Sequence, residues 1–245
     1  MRFKRLITFV NVSLLIFAIS VTSCTTINEK STAKATVGIS GAKRFLLVRP
    51  KIKMYELSVG GINTEKQEWT KAANDNAVDA IRQKLIDSGK EVVVIDSDEY
   101  KEETGDLLGI YETVQTNIQR HVMGHESMKF SQKAADFKFW SGDTKALMQR
   151  FNVDYVIVVY GYGQLSSSGR KAAQVAGAVL GAFTGVYAIQ SDGFTQMSLG
   201  ILDKDGMIVW YGANTPEESA DFRDKKEVSS MVGKMFEKLY KPKKK

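Results

Sequence analysis

The sequence predicts an α/β domain: a mixed β-sheet flanked by helices, in the order β-α-β-α-α-β-β-β-α, with a Gly/Ala-rich insertion before a C-terminal β-hairpin. Three observations predict it. The apolar runs Arg44–Val48 and Glu91–Ile95 bracket a helical pattern, and such a β-α-β opening needs a crossover and favours parallel pairing. Residues 153 to 160 are almost continuously apolar, as a strand in mid-sheet with helices on both faces must be. Near the C-terminus an alternating run, an Asp-Gly turn and a second β-rich run spell a hairpin.

Ahead of that domain, residues 1–23 read as a lipoprotein signal peptide. Arg2, Lys4 and Arg5 form a basic start. Residues 6 to 19 are mostly apolar, interrupted only by Thr8, Asn11 and Ser13, and fall short of the roughly 20 apolar residues that a membrane span needs. Val21-Thr22-Ser23-Cys24 then resembles a lipobox, an aliphatic residue and two small ones before a cysteine. Small residues let the backbone enter a narrow peptidase site, and the thiol can take a diacylglyceryl group as a thioether. Cys24 is the only cysteine, so no intramolecular disulfide explains it; the alternative is an ordinary secreted protein with an incidental cysteine. Acylation at Cys24 (palmitate or a similar chain) would make the membrane a partner, because two or more chains hold a protein stably where one does not. Under the sorting rule of enterobacterial lipoproteins, Thr25 in place of aspartate favours the outer membrane, with the domain facing the periplasm.

The rest follows in order. Residues 24–41 are polar and rich in Ser, Thr, Lys and Gly, which predicts a flexible tether. A single domain is expected over 42–240, with a basic tail at 241–245. Pro50 limits the ladder of the first strand. Asn63 or Thr64 offers a helix N-cap with Glu65 and Glu68 in the first turns, and Trp69, Ala72, Ala73, Val78, Ile81, Leu85 and Ile86 recur at helical spacing up to a stop at Gly89. Leu107, Ile110, Val114 and Ile118 mark a helix over 106–123, and Leu147, Met148 and Phe151 a short one over 143–151. Met197, Leu199 and Ile201 alternate toward the turn at Asp205-Gly206. Asp224 caps a last helix whose Val228, Met231, Val232, Met235, Phe236 and Leu239 form an apolar stripe.

Few residues suggest chemistry. No nucleophile elbow, P-loop or complete Gly-x-Gly-x-x-Gly occurs, and Gly161-Tyr162-Gly163 fits a turn or close packing at the end of a strand. His121 and His125, with Glu126 adjacent, are weak metal candidates at i, i+4 spacing; Gly124 between them weakens or ends the helix. No cofactor and no enzymatic activity are expected. The signal holds three basic and no acidic residues, so its removal takes the formal charge from +6 to +3. Much of the remaining excess sits in Lys238, Lys241, Lys243, Lys244 and Lys245, a tail rather than a patch on a fold, so no nucleic-acid partner is expected.

The segment 172–190 stands apart. No charge occurs between Lys171 and Asp192, and Gly177, Gly181 and Gly185 are spaced by four. On a helix they would form one flat strip that another backbone can approach, an association surface against the protein's own domain, a second subunit or the membrane.

Three stretches resemble a known family: Glu68-Trp69-Thr70 on the helix ahead of a strand, Val153-Asp154-Tyr155-Val156-Ile157-Val158, and the hairpin over 199–210 around Asp205-Gly206. In this organisation, over roughly 42 to 240, the chain is similar to the bacterial envelope lipoproteins that include the curli-secretion lipoprotein and the lipoprotein activators of peptidoglycan synthases. It has no clear counterpart of the two long membrane-spanning hairpins of the curli channel. The resemblance implies a non-enzymatic envelope lipoprotein acting in assembly, export or scaffolding, as a homo-oligomer or with an envelope protein partner. The alternative is a periplasmic regulator of a cell-wall synthesis enzyme.

Overall fold

The computed structural model describes residues 26–32, 35–96, 98–124, 137–184, 193–214 and 220–240. Along the chain its elements are β1 (Ile27–Ser31), α1 (Ala35–Gly41), β2 (Arg44–Val48), β3 (Lys51–Leu57), β4 (Asn63–Glu65), α2 (Gln67–Asp87), β5 (Glu91–Ile95), α3 (Lys101–Ile118), α4 (Lys145–Phe151), β6 (Tyr155–Ser166), α5 (Ser168–Thr184), β7 (Gly193–Leu202), β8 (Ile208–Asn214) and α6 (Lys225–Tyr240). The class is the one the sequence predicts, α/β with a mixed sheet flanked by helices. The order differs: β1, α1, β3, β4 and α5 are additional to the predicted series.

The sheet runs β1-β8-β7-β6-β2-β5. On one side of β6 lies antiparallel β7. Along its other side run β2, parallel at Tyr155 to Ile157, and then β3, parallel at Tyr160 to Ser166. β2 and β3 are therefore one edge-following path, broken at Arg49-Pro50, where proline has no N–H to give the ladder. The mixed pairing leaves β6 buried on both faces, as its apolar run requires. Ile157 and Val159 join the core under α2 and α6, while Val156 and Val158 join the one under α3 and α4.

Local chemistry explains the elements that sequence reading placed well. The Asp203 carboxylate accepts the N–H groups of Asp205 (3.0 Å) and Met207 (2.9 Å), and Gly206 takes φ +74°, which closes the β7–β8 turn. Asp224 Oδ1 accepts the N–H groups of Lys226 and Glu227 at the start of α6, and all six residues of the predicted stripe are buried.

Other expectations need correction. The segment 24–41 is not a tether throughout: β1 pairs with β8 from Ile27↔Asn214 to Ser31↔Trp210, and α1 follows. Ile27 and Ile39 anchor the segment in the core, and Glu29 accepts the indole N–H of buried Trp210 at 3.2 Å, so its few apolar residues and one acid suffice. Asn63 and Thr64 do not cap α2; they form β4 against β3, and Lys66 is the N-cap. α3 begins at Lys101 and is continued by a π-helical turn, Gln119–Met123. Gly161 and Gly163 lie inside β6 rather than at its end, where a Cβ would press on Ile52 and Met54 respectively. That is the close-packing use of glycine.

The outer edge of β3 is closed by side chains of α2. Buried Asn74 accepts the Ile52 N–H (3.0 Å) and donates to the Ile52 carbonyl (2.9 Å), while Thr70 Oγ1 accepts the Met54 N–H (3.0 Å). An edge satisfied in this way offers no ladder to another chain.

Candidate functional site

Strand directions gather several features at one end of the sheet. β3 and β6 finish together, at Leu57↔Ser166. β7 starts there, with Gly193 beside Leu165, and β8 runs toward it. β1 begins alongside the last residue of β8. This end carries the connection between β3 and β4 and the start of α5, and the chain ahead of β1, from Thr26 backward, heads toward it. Cys24 lies two residues before Thr26, outside the described residues; we refer to this end as the N-terminal end of the sheet.

α5 leaves β6 there and is held by its first turn. Ser167 Oγ accepts the Arg170 N–H (3.2 Å), Arg170 Nη1 donates to the Ser58 carbonyl (3.3 Å), and Gly169 packs beside Val59. Beyond that turn Ala172, Val175, Ala176 and Val179 are exposed. Their spacing puts them on one face of the helix. Val175 is 65% and Val179 53% exposed, an apolar stripe turned outward. The opposite face carries Arg170, Gln174 and Gly177, all half-buried. A Cβ on Gly177 would meet nothing within 4 Å among the described residues, so none of them uses the close approach that glycine allows there. Gly181 lies on the backbone of α5, four residues further along, and Gly185 falls outside the described residues. Among the described residues no helix is long and apolar enough to cross a membrane. Val59, Ile62 and Phe194, also exposed, lie at this same end.

On the α3 face of the sheet, three rings form a ladder across three strands. Tyr162 of β6 stacks on Tyr55 of β3 at 5.0 Å between centroids and on Phe194 of β7 at 5.3 Å. Next to it, Glu112 of α3 accepts from Lys51 Nζ (2.7 Å) and from the Tyr160 hydroxyl (2.9 Å). Burial would raise the Glu112 carboxyl, but the bonds from Lys51 and Tyr160 and the charges of Lys51 and Lys53 outweigh it and hold the pKa below the usual value. Burial, then the bond to Glu112, pushes Tyr160 up to about 12. Near neutral pH the carboxylate stays ionised and the phenol protonated. The cluster fastens α3 to the sheet and is not poised for proton transfer. The sequence did not reveal the ladder or the cluster, because both depend on β3 and on its register with β6.

The remaining sequence candidates do not converge. His121 is half-buried in the π-helical turn. The helix ends at Met123 and Gly124 is extended, so helical i, i+4 geometry does not reach His125, which lies outside the described residues with Glu126. Among the described residues no group of three or more His, Cys, Asp or Glu side chains is arranged to hold a metal. An open groove at the other end of the sheet is lined by Lys43, Arg44, Asp154, Asp203 and Lys204 among others. Its Asp154 accepts the backbone N–H groups of Lys43 (2.7 Å) and Arg44 (3.0 Å), a structural use that ties β2 to the start of β6.

No protein-family model matches the chain, and no curated protein does. Among solved structures it is similar to the PelC dodecamer from Paraburkholderia phytofirmans, at 11% identity and a TM-score of 0.38, over 89% of this chain and 99% of that one. It is also similar to a single-residue variant of that dodecamer, at 11% identity and a TM-score of 0.37, over 88% of this chain and 98% of the other.

Proposed function

We propose that the protein is a lipid-anchored, non-enzymatic envelope lipoprotein that acts in assembly, export or scaffolding by associating with itself or with an envelope partner. Its anchor is Cys24, its place the outer membrane with the domain in the periplasm. The observation that supports this reading best is α5. Glycine in a helix costs about 0.8–1.0 kcal/mol relative to alanine. α5 carries glycine at 177 and 181 on one face, and at Gly177 no described residue of the chain comes within 4 Å of where a Cβ would sit. A backbone from outside the chain, received on that face, would offset the cost.

The test uses the full-length protein in intact envelopes. Once Cys24 is acylated, Gly177→Cys supplies the only free thiol, because the sequence has no other cysteine. Oxidative or bifunctional cross-linking should join Gly177→Cys to a second copy or to a second envelope protein, and should not join Lys84→Cys on α2. Mass spectrometry should find lipid on Cys24. A monomeric, uncross-linked Gly177→Cys protein would overturn the association; an unmodified Cys24 thiol in the mature protein would overturn the anchor.

A further inference from the structure

We propose that the N-terminal end of the sheet rests on the bilayer that holds the lipid. Val59 and Ile62 at the β3–β4 tip and Val175 and Val179 of α5 enter the boundary between headgroups and acyl chains. The inference rests on the lipid anchor proposed above and adds to it a second contact, made by the folded domain.

Position is the first argument. Through Ala213 and Ser198, Asn28 of β1 is level with Tyr160 of β6, and from Thr26 backward the chain heads toward the end of the sheet that carries the β3–β4 tip and the root of α5. Only Thr25 lies between Thr26 and Cys24, and an extended chain spans at most about 3.3–3.6 Å per residue. An acylated Cys24 thus holds the membrane surface within about 7 Å of Thr26 and about 11 Å of Ile27, where the first strand starts, on the side that faces this end.

Composition is the second. Among the described residues, nine large apolar side chains are exposed; three of them, Val59, Ile62 and Phe194, lie at this end, and two more, Val175 and Val179, lie on α5, which starts there. Ile62 is 68% exposed and Val59 58%. An outward apolar face on a helix with no charge after Lys171 suits the headgroup–acyl boundary, where an amphipathic helix buries its apolar side by about 5–10 Å. Lys171, exposed at the root of α5, is placed to reach the phosphates with its long side chain. The glycine face of α5 points the opposite way, so lipid and partner would take different faces of the helix.

The experiment reads depth site by site. Full-length acylated protein is reconstituted in vesicles of phosphatidylethanolamine and phosphatidylglycerol, with an environment-sensitive fluorophore on Ile62→Cys, Val175→Cys or Val179→Cys. The control is Val37→Cys on α1, which is 81% exposed and follows β1 at the far end. A nitroxide carried on the lipid acyl chain near the headgroup should quench the three test positions at least threefold more than position 37. Equal quenching at all four sites would overturn the proposal. So would labels at 175 and 179 shielded from both the lipid nitroxide and a water-soluble quencher, since a second protein would then cover the stripe. Vesicle flotation and the mass of Cys24 report the anchor separately. An acylated, floating protein with unquenched labels sinks the docking alone; an unacylated protein that does not float sinks both.

Discussion

Replacing Gly177 by leucine separates the two things that the glycine face of α5 could do. Among the described residues a Cβ added at that position meets nothing within 4 Å. The substitution also removes a glycine from a helix, and leucine is nearly as good a helix former as alanine; the folded monomer should gain about 0.8 kcal/mol. For a domain of this size that corresponds to a rise in Tm of about 2–3 °C. Across an association interface the sign reverses. Overpacking costs about 1–3 kcal/mol, which weakens the dissociation constant about 5- to 150-fold. Thermal melts on dilute protein and sedimentation velocity over a concentration series read the two quantities on one preparation. A higher Tm with a weaker oligomer is the expected pair. A lower Tm would show that the face is packed within the chain, and a higher Tm with unchanged association would show that partners bind elsewhere.

Three other perturbations have defined outcomes. A Cβ at Gly200 would lie 2.6 Å from Cε2 and 3.0 Å from the hydroxyl of buried Tyr111, so Gly200→Ala should cost about 1–3 kcal/mol in a denaturant melt, and an unchanged midpoint would contradict that contact. Asn74→Ala leaves the Ile52 N–H and carbonyl without their partner at the edge of β3 and should cost about 1–3 kcal/mol, with accelerated amide exchange at Ile52 as the local readout. The backbone N–H of Arg44, then that of Lys43, holds the Asp154 carboxyl below its usual pKa against the opposing effect of burial. Its contribution is therefore present above the unfolded value of about 3.9 and is lost as pH falls through the lower folded value. Asp154→Asn should lower stability near neutral pH and flatten the acid limb of the stability profile; an acid limb as steep as the parent's would assign that slope to other carboxylates.

The sequence disclosed those parts of the fold whose signals are local. The twin-faced apolar run of β6, the Asp-Gly turn and the capped stripe of α6 each need no more than a dozen neighbouring residues to be read. β1 was hidden because its pairing partner is β8, at the far end of the chain, and its own alternation is mostly polar. β3 was hidden by Pro50, which reads as the end of a strand although it only breaks a path that continues along β6. The candidate site divides the same way. The absence of charge and the glycine spacing of α5 were legible. The stack of Tyr55, Tyr162 and Phe194 was not, since three strands distant in sequence must first be set in register.

The antiparallel seam between β1 and β8 also sets how the molecule bears force. If Cys24 is held in lipid while a partner pulls on the domain, the tension enters at residue 26 and runs along the axis of β1. The two strands are then asked to slide past each other, not to peel apart. All five register pairs, from Ile27↔Asn214 to Ser31↔Trp210, share the load at once, with the bond from Trp210 to Glu29 as an added catch. The segment that the sequence suggested was slack is instead sewn into the sheet as β1: with Cys24 held in lipid the domain could not swing far from the bilayer, and dragging it away would mean first tearing a strand from its own sheet.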